Sequence, residues 1–193
     1  DNHFEEKWFQ LNGGILSYHD QDCIALVLAD ITDLKQREKH LKELLSLDLA
    51  TGSMNKYSLM KAIKKRVRAK ETADQYSICM IDFDNFKSLN DQHGHLFGDR
   101  VLEKFSDIAR RHIRKDDIFG RYGGEEFIFV FNNIDERQSL EILKRIHTEL
   151  EKYFAKRYKI SVTFSAGVFT VTNDTMPLSH TELLAKVDNL LYE

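Results

Sequence analysis

The sequence predicts an α/β (α+β) fold: a central, mainly antiparallel sheet covered by helices, preceded by a small N-terminal β segment and a linker helix. Three observations carry this expectation. Tyr76–Phe83 is a strand-length run, and Glu126–Phe131 is apolar on both faces, as a central strand covered on each side requires. Long stretches around them repeat apolar residues at helical spacing. Gly123-Gly124 falls between two strand-forming runs and marks a tight hairpin.

Three segments follow: 1–33, 34–47 and 48–193. The first alternates aromatic and apolar positions with polar ones: Phe4, Trp8, Phe9, Leu11, Ile15, Leu16, then Ile24 to Leu28. Gly13-Gly14 and Asp20-Gln21-Asp22 supply turn chemistry between the runs, so about three antiparallel strands are expected. Three strands alone are marginal and call for a partner surface. The second segment reads as a helix from Leu34 to Leu47, capped by Asp33 with Gln36 reaching back. Leu34, Leu41 and Leu44 keep heptad-compatible spacing, with Leu45 beside the seam and Arg37 interrupting it. This pattern suits either an amphipathic connector or a short parallel coiled coil.

The third segment carries the main fold. A helix is expected from about Gly98, with Val101, Leu102, Phe105, Ile108 and Ala109 on one face. Asp135 to Phe154 reads as a long amphipathic helix. Lys159 to Thr172 reads as two strands broken near Ala166-Gly167. Ser179 to Tyr192 closes the chain as a helix, with Ser179 and Glu182 placed as a capping box.

Composition narrows the class. The 193 residues are 42% hydrophobic and 31% charged, an ordinary globular balance. A formal net charge of -3 and a pI of about 6.3 argue against a nucleic-acid binder. Cys23 and Cys79 lie in apolar runs and read as buried thiols of a reducing cytosol. The apolar stretch Cys23 to Ala29 is too short to cross a bilayer. A cytoplasmic location is expected, and the abrupt start at Asp1 leaves room for an upstream anchor.

The chemistry begins at Ile81-Asp82-Phe83-Asp84. A carboxylate at the end of a buried strand is costly unless it meets a cation or a hydrogen-bonding partner; a capping or salt-bridged aspartate is the plain alternative. Glu125 and Glu126 follow the two glycines directly. Adjacent glutamates repel, and glutamate is a poor strand former. A hard cation explains both features, since Mg²⁺ is usually held by one or two carboxylates plus substrate phosphates. If the hairpin pairs with the Asp82 strand, Asp82 and Glu125 would share metal ions that polarise a phosphate and activate a hydroxyl.

Gly123-Gly124-Glu125-Glu126-Phe127 resembles the signature of the GGDEF family of diguanylate cyclases in its GGEEF form. Asp82 to Asp91 is similar to that family's metal-and-base segment, Gly94 to Asp99 to the stretch after it, and Asp48 to Lys56 to its opening motif. Ser165 to Val168 and Asp188 to Tyr192 resemble its late strand pair and last helix. The resemblance implies a fold like a nucleotide cyclase or polymerase palm, and condensation of two GTP into cyclic di-GMP with loss of two pyrophosphates. It implies Mg²⁺, with Mn²⁺ as an alternative, on Asp82, Glu125 and the Phe83 carbonyl. Glu125 would also help activate the ribose 3′-hydroxyl, and Lys87 would offset phosphate charge. Asn90 and Asp99 would read guanine, His95 would line the pocket, and Gly123 and Gly124 would let the backbone approach the nucleotide. Each domain would bind one GTP, so the ring closes only in a homodimer. Arg114 and Asp117 match the family's Arg-x-x-Asp product-inhibition site; a charged helix end is the plain alternative. Trp8, Gly13-Gly14 and Ala29 to Lys35 resemble the end of a PAS sensory domain.

Some positions depart from the family. Ala50, Ser53 and Lys56 stand where it usually has Leu, Leu and Arg, and beyond the position of Glu193 the family normally continues into a Lys- and Arg-containing segment that contacts the GTP phosphates. The rival reading is a catalytically inactive module that binds GTP or cyclic di-GMP as a regulatory receptor. Degenerate members usually lose the acidic residues that this chain keeps.

Overall fold

The computed structural model describes residues 7–18, 21–44, 46–68, 75–172, 175 and 178–191. Phe4, Asp20, Leu45 and Tyr192 lie outside the described residues. The chain divides into two compact units, Asp1–Leu45 and Ser46–Glu193.

In the first unit the described strands are two, not three: β1 (Phe9–Tyr18) and β2 (Gln21–Asp30), paired antiparallel. Gly13-Gly14 is no turn. It lies mid-strand, with Gly13 opposite Leu26 and a Leu26 methyl in the space a Cβ would need. The register gathers Phe9, Leu11 and Ile15 with Ile24, Leu26 and Leu28 on one face of the ribbon, all at least half exposed. Cys23, expected to be buried, is exposed on this ribbon, and it is a free thiol like Cys79.

Helix α1 (Thr32–Leu44) starts earlier than expected. Asp33 sits inside its first turn. Asp30 does the capping instead, accepting from the Thr32 N–H at 2.9 Å. Thr32 Oγ1 accepts from the Trp8 N–H at 2.9 Å, and the Trp8 carbonyl accepts from Ile31 N–H at 2.9 Å. The helix is thereby tied to the foot of β1.

The second unit is the predicted α/β sheet. Its strands are β3 (Tyr76–Phe83), β4 (Ile118–Arg121), β5 (Glu126–Asn132) and β6 (Phe164–Val171), in the order β4-β5-β3-β6 and antiparallel throughout. Seven of the eight β3 residues, all but Asp82, are buried, as a strand covered on both faces should be. On one face pack α4 (His95–His112) and α5 (Glu136–Tyr158), around Phe83, Phe105, Phe127 and Phe129. On the other face α2 (Lys56–Arg68) and α6 (His180–Leu191) enclose Leu59, Ile63, Ile78, Met80, Ile128 and Val187.

Helix α3 (Phe86–His93) fills the stretch before α4, which itself starts at His95 rather than Gly98. Asn85 makes the β3–α3 turn in the left-handed region, φ 55°, which asparagine tolerates better than most residues. The expected box is present at α6, where Glu182 Oε2 accepts from Ser179 N–H at 2.7 Å, and a second one, Asp135 with Gln138, opens α5.

The predicted break near Ala166-Gly167 does not occur; β6 runs through it. Gly167 marks a close approach instead. Its Cβ would collide with the Val187 carbonyl and stand 2.7 Å from the Leu191 nitrogen, so the α6 backbone lies directly on the strand. Gly167→Ala should therefore destabilise the fold by about 1–3 kcal/mol through overpacking, read from the denaturation midpoint at unchanged slope.

Candidate active site

The site lies where β3 ends beside the β4–β5 hairpin. Asp82, one residue from the end of β3, is opposite Glu126 on one neighbouring strand and Ser165 on the other. The pairing of the hairpin strand with the Asp82 strand, on which a shared metal site depends, is thus present. Phe83 buries its ring against Phe105, Phe127 and Phe164, which fixes its main chain at the strand end.

The electrostatics of this corner are unfavourable as they stand. Burial pushes the Asp82 carboxyl up to about 6, helped by the charges of Glu125, Glu126 and Asp84. Crowding of this kind fits a bound divalent cation, which would reverse the penalty. Among the described residues, no group of three His, Cys, Asp or Glu side chains forms a cage that could hold a metal alone. Mg²⁺ does not need one: two carboxylates and a carbonyl suffice when phosphates and waters complete the shell. Asp82, Glu125 and the Phe83 carbonyl would be that donor set.

Asp84 is held by the segment that leads into and opens β6. Its oxygens accept from Thr163 Oγ1 at 2.6 Å and Ser165 Oγ at 2.7 Å, and its N–H donates to the Thr163 carbonyl at 3.1 Å.

The hairpin is held by contacts the residue pattern did not reveal. The Glu126 carbonyl accepts from the Tyr122 N–H at 2.8 Å and from the Gly123 N–H at 3.2 Å. The Glu126 carboxylate lies against Gly123, where a Cβ would overlap it. Arg121 donates to the Gly124 carbonyl from Nε (3.1 Å) and Nη2 (2.7 Å), and from Nη1 to Asp48 at 3.2 Å. Burial alone would raise the Asp48 carboxyl, but hydrogen bonds from Thr51 and the Arg121 charge outweigh it and hold it below the usual range. The opening motif therefore braces the turn that carries Glu125. The departures there are accommodated: Ser53 is buried with its hydroxyl 2.8 Å from Thr51 Oγ1, and Lys56 Nζ sits 4.1 Å from the Tyr122 ring centroid. Ala50 is exposed.

Beyond the strand end, Lys87 is exposed in the first turn of α3. Asn90 leans on Gly98, where a Cβ would sit 3.0 Å from Asn90 Cγ. Its Oδ1 is buried with no hydrogen-bond partner, an unmet acceptor that costs free energy until a donor arrives. Asp99 follows Gly98 directly and is exposed, as is His95 one turn earlier on α4. The structure thus brings Asn90 and Asp99 to neighbouring positions. It does not bring Arg114 and Asp117 to them. Those two form the turn before β4, at the opposite end of that strand from Arg121, about 13 Å of chain away.

Residues 45–193 match the protein family described as diguanylate cyclase, GGDEF domain. The chain belongs to the GGDEF family. Diguanylate cyclase A of Treponema denticola is 32% identical over 174 residues, 86% of this chain and 46% of that protein. Diguanylate cyclase DosC of Escherichia coli strain K12 is 31% identical over 152 residues, 76% of this chain and 32% of that protein. The chain therefore spans less than half the length of either relative. Among solved structures, a microbial GGDEF domain described in an interaction with cyclic di-GMP aligns with a TM-score of 0.65 at 28% identity, covering 76% of this chain and 90% of that one. Among the described residues of this GGDEF protein, no helix is long and apolar enough to cross a membrane.

The raised Asp82 carboxyl has a stability consequence in the metal-free protein. Its folded value of about 6 exceeds the unfolded value, so the folded state holds a proton that the unfolded state has released. Stability from this group is full below about pH 4 and is lost as pH rises to about 6. Asp82→Asn should melt a few degrees higher than wild type at pH 7.5 without metal, and the gap should close at pH 4. An equal gap at both pH values contradicts this.

Proposed function

We propose that this chain is the catalytic part of a diguanylate cyclase, joining two GTP into cyclic di-GMP with release of two pyrophosphates. The observation that carries the reading is the Asp82 corner. A strand-end carboxylate made costly by burial and by the charges of Glu125, Glu126 and Asp84 has a chemical purpose when Mg²⁺ and a nucleotide phosphate occupy it.

In this reading Asp82, Glu125 and the Phe83 carbonyl hold Mg²⁺ or Mn²⁺, and Glu125 helps take the 3′-hydroxyl proton. Lys87 offsets charge on the phosphates as it develops. Asn90 Oδ1, buried without a partner, and Asp99 accept the guanine N1–H and amino protons, a donor pattern adenine lacks. His95 lines the pocket, and Gly123 and Gly124 let the main chain approach the phosphates.

Each GTP supplies one 3′-hydroxyl that attacks the other's α-phosphorus, so two copies must face each other, and control of dimer geometry is control of the rate. The linker helix, 34–47, serves as that control. Segment 1–33 is the closing part of a PAS-like sensory domain, and 48–193 is the catalytic domain. The apolar face of the β1–β2 ribbon supports this, since a two-stranded ribbon is marginal until covered. Arg114 and Asp117 bind the cyclic di-GMP product as an inhibitor, Arg114 gripping its phosphates.

Incubation of the dimeric protein with GTP and Mg²⁺ should yield cyclic di-GMP, detected by mass spectrometry; a dimer that yields none refutes the reading. Glu125→Gln should lower turnover about a hundredfold or more. Asp99→Ala should raise the KM for GTP by about tenfold or more, with a smaller change in kcat. Full turnover by Glu125→Gln would remove that residue from the mechanism.

A further inference from the structure

The turn carrying Arg114 and Asp117 is exposed at Arg114, Lys115 and Asp116, yet it is not left to hold itself. Within the turn, Asp117 Oδ2 accepts from the Arg114 N–H at 2.8 Å and the Asp117 N–H donates to the Arg114 carbonyl at 3.2 Å. The remaining bonds come from Asn132, at the far end of β5. Its N–H donates to Asp117 Oδ1 at 3.1 Å, and its side-chain Nδ2 donates to the Asp116 carbonyl at 2.5 Å.

The orientation of the Asn132 amide is itself determined. Arg66 Nε donates to Asn132 Oδ1 at 2.8 Å. A guanidinium can only donate, so the amide oxygen must face Arg66 and the NH₂ must face Asp116. Arg66 is placed in turn by Tyr76, with its guanidinium carbon 4.2 Å from the ring centroid. Tyr76 is buried and pairs with Asn132 across β3 and β5. An exposed turn is thus fastened through Asn132 and Arg66 to the buried start of the central strand.

We propose that Asn132, oriented by Arg66, is a positioning residue that preforms the Arg114–Asp117 turn for a cyclic guanine dinucleotide; this rests on the product-site reading above. Asn132 has no role in contacting the ligand. A planar guanidinium grips a phosphate well only from a defined backbone position. A turn already ordered spares the ligand the entropy of ordering it on binding.

The test uses the full chain. Calorimetry measures cyclic di-GMP affinity, a fluorescent GTP analogue reports on the other site, and hydrogen exchange follows the amides of residues 114–117. Asn132→Leu keeps the branched heavy-atom shape and removes the side-chain bonds. It should weaken cyclic di-GMP about tenfold and speed exchange in the turn, while GTP-analogue affinity holds. If that variant is too unstable to titrate, Asn132→Asp serves: it keeps an acceptor for Arg66 but turns an oxygen on the Asp116 carbonyl, and the same loss is expected. Wild-type affinity for cyclic di-GMP in a folded Asn132 variant overturns the proposal. A different result overturns the product-site reading and this inference with it: no binding by wild type, or binding that Arg114→Ala leaves unchanged.

Discussion

The register of β3 between two antiparallel neighbours fixes everything at the candidate site. Shifting β3 by one residue against β5 would turn Asp82 to the opposite face and bury it in the aromatic layer around Phe105 and Phe127. The register is protected by apolar burial on both faces, with Ile78 and Met80 toward α2 and α6 and Cys79, Ile81 and Phe83 toward α4 and α5. Stability of the sheet and placement of the acid are one constraint. The sheet supplies the rigidity that holds a carboxylate where its own electrostatics resist it.

Arg121 carries that rigidity into the hairpin. One guanidinium spans the Gly124 carbonyl and Asp48, joining the most flexible residue type in the turn to a loop closed by Thr51. The turn is thereby ordered without a bulky residue that would block a ligand. Asp84 makes a comparable bargain on the other side: hydroxyls from Thr163 and Ser165 satisfy it while its charge still bears on Asp82.

Much of the fold and site was legible because the signals are local. Apolar runs marked β3 and β5, a capping box marked the start of α6, and two glutamates after two glycines had no structural excuse. Where the reading failed, a residue type had two physical uses. Gly13-Gly14 and Gly167 were read as chain breaks because glycine frees the backbone. In the structure they make room, for Leu26 in one case and for the α6 backbone in the other. Arg121 and Asp48 are 73 residues apart, and no periodicity links them. The same holds for Asn132, whose importance depends on an arginine 66 residues away.

The contact between Gly167 and α6 has a mechanical meaning. Elsewhere in the core, side chains separate helix from sheet and can change rotamer to absorb a displacement. Here main chain rests on main chain, so nothing cushions the two elements from each other. Displacing α6 would press on β6 two residues from Ser165, the residue across from Asp82. The last helix and the strand-end carboxylate are therefore coupled almost as a stiff lever, and the fold gives that lever no slack.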